Sequence, residues 1–209
     1  MDGLLIDSEP LWNEAATEVF QRFGIKVTEE QYAVTTGLRT KEFVQWWFTT
    51  HKIPMENAER TRLDIVQKVA EKIMQKGKPL PGLAHILNFF IDRKFKIGLA
   101  TSSPQHVIDV VMNHLKIGDY FDAVSSGDLL PYGKPHPQVY LNCAEELSSQ
   151  PEECICFEDS FNGLIAAKAA RMKCVVVPAP QQHHETRWNA ADLKISSLQN
   201  FNDLLLHSI

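Results

Sequence analysis

The 209-residue chain predicts an α/β fold, with a mainly parallel sheet core interrupted near its start by a helical insert. Three observations carry this. From about residue 80 onward, short apolar runs alternate with stretches of helical periodicity, the pattern of strands joined by crossover helices. The runs are nearly all apolar rather than alternating, as strands covered on both faces must be. From about Leu11 to Gly77 no strand-like run occurs, and the segment reads as helix throughout.

The elements follow in order. Ser8-Glu9-Pro10 and Lys78-Pro79-Leu80-Pro81-Gly82 punctuate the chain, which assigns residues 10–77 to the insert and residues 1–9 with 78–209 to the core domain. Within the insert, Leu63, Val66, Ala70 and Ile73 recur at helical spacing, with Gly77 as the stop. Trp46-Trp47-Phe48 is expected in the insert's core. Leu83, Ile86, Leu87 and Phe90 predict a helix entered from Pro81-Gly82. Strands are predicted at 96–100, 123–126, 154–157 and 174–177. Val107, Val111 and Leu115 mark a helix capped by Ser103, with Pro104 in its first turn and its end near Gly118. Gly163, Ala166, Ala167, Ala169 and Ala170 mark another helix, rich in small residues. No internal repeat or low-complexity segment is present.

Composition narrows the function classes. Hydrophobic residues make up 44% and charged residues 22%, ordinary globular values. Lys plus Arg number 21 against 26 Asp plus Glu, a net charge of −5, with no basic cluster to follow a phosphate backbone, so nucleic acid is not an expected partner. No apolar run approaches the ~20 residues of a membrane span and no signal peptide precedes the first motif, so no membrane partner and a cytoplasmic location are expected. Cys143, Cys154, Cys156 and Cys174 lack metal or redox spacing and are expected as buried free thiols. A monomer acting on a small molecule is the expected state.

Four strings carry chemistry: Asp2-Gly3-Leu4-Leu5-Ile6-Asp7-Ser8-Glu9-Pro10, Gly98-Leu99-Ala100-Thr101-Ser102-Ser103, Gly133-Lys134-Pro135-His136-Pro137 and Phe157-Glu158-Asp159-Ser160. Thr101 ends an apolar strand before a helix, so its hydroxyl and the Ser102 amide meet where anions bind favourably. Lys134 stands on a loop stiffened by two prolines. Glu158 and Asp159 end another apolar strand, where paired carboxylates need a compensating cation, and magnesium is the natural one.

Together these strings resemble the haloacid-dehalogenase superfamily of aspartate-dependent phosphatases, over nearly the whole chain. The resemblance implies a Rossmann-like core with a mobile helical cap over the phosphate site. The family's first motif is a strand followed by Asp-x-Asp-Gly, and Met1 takes the x position. The nucleophilic aspartate is therefore expected immediately before Met1, and the first core strand is expected to be absent from this chain.

By the same resemblance Asp2 is the general acid/base, and Lys134 neutralises the nucleophile and phosphate charges. Thr101 and Ser102 hold the phosphate. Asp159 ligates magnesium with the Asp2 carbonyl, and Glu158 assists from behind; the alternative for Asp159 is that it caps the following helix. Arg39, in Gly37-Leu38-Arg39-Thr40, together with Glu9 and Trp12, is expected to face the substrate, against the plainer reading of a surface arginine and a core tryptophan. His136 is read as local packing, and His183-His184 as a polar loop pair. The implied activity is magnesium-dependent hydrolysis of small sugar or sugar-alcohol phosphates, such as 2-deoxyglucose 6-phosphate and hexitol phosphates, through an aspartyl-phosphate intermediate. Two alternatives stand beside it: a phosphosugar mutase sharing the motifs, and a catalytically inactive binding protein without the nucleophile.

Overall fold

A computed structural model describes residues 1–35 and 37–209, with all their side chains except those of Glu29, Glu30 and Ala33. The segment between the first motif and residue 77 is helical: α1 (Glu9–Phe20), α2 (Glu29–Thr35), α3 (Thr40–Thr50) and α4 (Ala58–Lys76). Pro10 lies in the first turn of α1, where its missing N–H leaves no bond unmade. Chain direction changes at Gly77, whose extended backbone ends α4.

Two expectations about the insert are corrected by packing. The buried face of α4 is Thr61, Ile65, Val66, Val69, Ala70 and Ile73, while Leu63 is 48% exposed. Stripes beginning at Thr61 and at Leu63 share Val66, Ala70 and Ile73, and contact with α1 and α3 decides between them. Likewise Trp47 and Phe48 are buried and Trp46 is half-exposed. Three consecutive helical residues, ~100° apart, cannot all face one core.

Beyond residue 77 the chain forms α5 (Leu83–Asp92), β1 (Gly98–Thr101), α6 (Gln105–Leu115), β2 (Ala123–Ser126), α7 (Gln138–Glu146), β3 (Ile155–Glu158), α8 (Phe161–Ala169), β4 (Lys173–Val176), β5 (Leu193–Lys194) and α9 (Asp203–Leu206). Among the described residues every strand pairing is parallel, β1 with β2, β3 with β4 and β4 with β5. This is the predicted α/β class, with strand ends within two residues of the sequence reading. β5 has two residues, too few to show a pattern. The two ladders are not hydrogen-bonded to each other. Between β1 and β3 lies a cavity of about 540 Å³, lined by residues 96–100 and 154–158 and bounded by Met1, Phe90 and Tyr140.

Alternate residues of each strand separate two apolar cores. Cys156, Cys174 and Val176 pack with Val139, Leu164, Ala167 and Trp188 beneath α7 and α8. On the other face, Val175 and Leu99 join α5 and α6, and that cluster runs on into the helical insert through Met1, Leu4 and Ile6. Phe201 anchors it, with its ring 5.0 Å from Phe157 and 5.4 Å from Phe89. All four cysteines are free thiols; Cys154 is only partly buried, because it precedes β3 rather than lying within it. Among the described residues no helix is long and apolar enough to cross a membrane.

Candidate active site

The parallel arrangement brings the C-terminal ends of β1 and β3 to one edge, where ligands bind in open α/β sheets. Thr101 ends β1 with Ser102 and Ser103 just beyond it, Glu158 ends β3 with Asp159 just beyond it, and Lys134 arrives on the loop before α7. With Asp2, Glu9 and Trp12 they line a cavity of about 130 Å³ roofed by insert residues that include Gly37, Leu38 and Phe43. Of the residues predicted for the site, only Arg39 is not part of this lining.

Asp2 is held by three donors. Ser8 Oγ at 2.5 Å and Trp12 Nε1 at 2.9 Å donate to its Oδ1, and Ser103 Oγ at 2.7 Å donates to its Oδ2. Trp12 therefore acts on Asp2 while also lining the cavity. Ser103 does not cap α6 as expected. Pro104 takes the N-cap position, without a side-chain bond, and frees the Ser103 hydroxyl to reach 101 residues back along the chain.

Glu158 is turned away from solvent. Its Oε1 accepts from Lys134 Nζ at 2.5 Å and from the Tyr140 hydroxyl, and its Oε2 accepts from the Ser160 amide at 3.3 Å and the Ser160 hydroxyl at 3.0 Å. Burial opposes its charge, but Lys134 and Tyr140 outweigh that and hold its pKa below the ordinary carboxylate value. Burial likewise opposes the charge on Lys134, and Glu158 overcomes it, so the ammonium's pKa lies above its usual value. With these acceptor positions taken, Glu158 serves Lys134 rather than presenting an oxygen to a cation.

Asp159 differs. Burial, then the neighbouring Glu158 and Glu9 carboxylates, push its pKa up to about 8, against the pull of the Met1 ammonium and Lys134. Its carboxylate rests on Gly3, where a Cβ would lie 2.0 Å from Oδ2 and where φ is +66°, so only glycine permits the approach. Asp159 does not cap α8; Ser160 does, accepting from the Gly163 amide at 3.1 Å. Glu9 is raised to about 7 by burial and then by Asp2 and Asp7. Carboxyl groups crowded in this way gain most from a bound hard cation, and the oxygen donor set suits one. Among the described residues no three His, Cys, Asp or Glu side chains converge as a ready-made cage. Asp159 is thus the carboxylate free to face such an ion.

Arg39 bridges the insert to the core. Its guanidinium donates to the backbone carbonyls of Gly127, at 3.3 Å, and Leu130, and pairs with Glu42 at 2.5 Å. Gly133 admits it, since a Cβ there would lie 2.7 Å from Arg39 Nε. Ser102 Oγ also donates to the Gly37 carbonyl at 3.3 Å. Tyr140 is a site residue to which the sequence assigned no role, and Ser103, expected as a helix cap, holds Asp2 instead. No local pattern marks either role, because their partners lie far along the chain.

The sequence profile of the haloacid dehalogenase-like hydrolases matches residues 1–177. The chain belongs to that family. It is 40% identical over 203 residues to hexitol phosphatase B of Escherichia coli K12, covering 95% of this chain and 90% of that protein. A phosphorylated carbohydrates phosphatase of Thermotoga maritima is 33% identical over 172 residues, 81% of this chain and 78% of that one. In fold, a β-phosphoglucomutase structure from Clostridium difficile superposes with a TM-score of 0.87 at 23% identity, covering 99% of this chain and 92% of that chain. This last likeness speaks to architecture alone.

Proposed function

We propose that this hydrolase is a magnesium-dependent phosphatase acting on small sugar or sugar-alcohol phosphates. The observation that carries the reading is the convergence, in one insert-roofed cavity, of Asp2, Thr101, Ser102, Lys134 and Asp159. Phosphoryl transfer asks for charge neutralisation and a proton at the leaving oxygen, and these groups supply both. Similarity to hexitol phosphatase B over nearly the whole chain supports the substrate class.

In this reading Lys134 sets its positive charge against the phosphate oxygens, and the Thr101 hydroxyl and Ser102 amide orient them. As the phosphoryl group passes to the aspartate expected before Met1, Asp2, fixed by Ser8, Trp12 and Ser103, gives a proton to the departing alcohol, and it then takes one from the water that attacks the aspartyl-phosphate and frees phosphate. Asp159, with the Asp2 carbonyl, would hold magnesium, which would supply further neutralisation of phosphate charge. At about 130 Å³ the cavity is smaller than the ~300 Å³ of common small-molecule sites, so a hexose-sized ester enters with the insert displaced.

The test uses two proteins, because the nucleophile expected two residues before Asp2 falls before Met1. One is the 209-residue chain; the other is the same chain preceded by an apolar strand ending in aspartate, ~6 residues as strands run. Phosphate release is measured on a panel of hexose and hexitol phosphates with and without magnesium, with glucose 1-phosphate to 6-phosphate exchange monitored in parallel. Magnesium-dependent release by the second protein, above an Asp2→Asn control, is expected. Release by neither refutes the reading, and exchange without release replaces it by a mutase.

A further inference from the structure

Tyr140 lies in the first turn of α7, six residues beyond Lys134, and is 4% exposed. It does not line the phosphate cavity; it faces the separate cavity between β1 and β3. Its hydroxyl donates to Glu158 Oε1, the oxygen that also accepts from Lys134 Nζ at 2.5 Å. Its ring lies against the same ammonium, with Nζ 4.7 Å from the ring centroid. Lys134 is therefore held on two sides by one residue, directly through the ring and indirectly through Glu158, and its remaining protons are left to the phosphate cavity.

We propose that Tyr140 is a positioning residue that aims the Lys134 ammonium at the phosphate end of the cavity. A buried phenol hydroxyl always needs an acceptor, and satisfying that need anywhere would account for a purely structural tyrosine. The acceptor here is the single oxygen that anchors the site's cation. Ser160 holds the other oxygen of Glu158 through its amide and hydroxyl, so the carboxylate cannot rotate to compensate. Without the phenol proton, the charge on Oε1 is shared with Lys134 alone. Nζ is then drawn toward Glu158 and away from the anion, because an ammonium interacts with a carboxylate more strongly in a dry site than in water.

The proposal rests on the phosphate-site reading only for the identity of the anion, and the test separates the two. Inorganic phosphate binding is measured by calorimetry on the full chain, together with the nuclear magnetic resonance signal of the Lys134 ammonium, for wild type, Tyr140→Phe and Tyr140→Leu. Tyr140→Phe keeps the ring and its volume and removes only the hydroxyl. It is expected to weaken phosphate binding roughly tenfold, the equivalent of one hydrogen bond to a charged group, and to shift the ammonium resonance. Tyr140→Leu is expected to weaken it at least as much. Wild-type phosphate affinity and an unmoved resonance in Tyr140→Phe overturn the proposal. Should no variant bind phosphate, the resonance decides alone: a shift supports the positioning role and an unmoved signal refutes it. Failure of both the 209-residue chain and its strand-extended form to hydrolyse any sugar phosphate, with the resonance shifted, sinks the functional reading and leaves this one standing.

Discussion

Gly163→Ala tests whether Glu158 is locked as the hydrogen bonds indicate. Gly163 is the third residue of α8 and has no left-handed backbone, so on helix propensity alone alanine should stabilise by about 0.5–1 kcal/mol. Space forbids that gain. The added Cβ would lie 2.1 Å from Glu158 Cδ and Oε2 and 2.3 Å from Oε1. A free carboxylate would swing aside cheaply, but this one accepts four hydrogen bonds and is 4% exposed. Displacing it strips a buried Lys134 of its partner, a loss of about 3–5 kcal/mol. The net cost is about 2–4 kcal/mol, a fall in Tm of roughly 4–16 °C for a chain of this size. Urea and thermal denaturation measure the stability, and calorimetry with inorganic phosphate measures the site. Gly118→Ala is the control, since nothing lies within 4 Å of its added Cβ; its effect should stay within about 0.5 kcal/mol. A Gly163→Ala protein as stable as wild type, with undiminished phosphate affinity, would show that Glu158 is free to move and that the locked pair is not real.

Three further outcomes are expected. Because the folded pKa values of Asp159 and Glu9 lie near 8 and 7, above their ordinary 3.8 and 4.5, the folded state retains protons that the unfolded chain releases. The contribution of these two groups should therefore be fully present below about pH 4 and be lost as pH rises toward 8, by at most about 1.4 kcal/mol per pH unit for each group. Asp159→Asn should flatten its share of that fall and magnesium should recover stability at pH 8, so parallel melting curves for wild type and variant would contradict the assignment. Arg39→Ala removes the bonds to Gly127 and Leu130 and should loosen the roof, seen as faster amide exchange across residues 37–42 and 127–133; unchanged exchange rejects the latch. Phe201→Ala should cost about 3–5 kcal/mol in denaturant, because its fully buried ring contacts Phe89, Phe90 and Phe157; a loss under about 1 kcal/mol would mean the cluster collapses to fill the gap.

The α/β class, the helical character of residues 10–77 and the four strings were all legible in the sequence, and the reasons are local. Buried parallel strands announce themselves as short apolar runs, and prolines and glycines mark where the chain turns. The strings at Thr101 and Asp159 fall at strand ends and that at Lys134 on a stiff loop, and in a parallel sheet those ends must meet at one edge. Tertiary structure decided which side chain serves which. Composition cannot say that Ser103 reaches Asp2 rather than capping α6, nor that Glu158 is consumed by Lys134 while Asp159 stays open. Arg39, sited in a substrate-loop pattern, is held by carbonyls of the loop that precedes Lys134. Which α4 stripe is buried, and which of Trp46 and Trp47 faces inward, likewise depended on neighbouring helices. Helical and strand periods are properties of a few consecutive residues, whereas a hydrogen bond between residues 2 and 103 exists only once the sheet has brought them together.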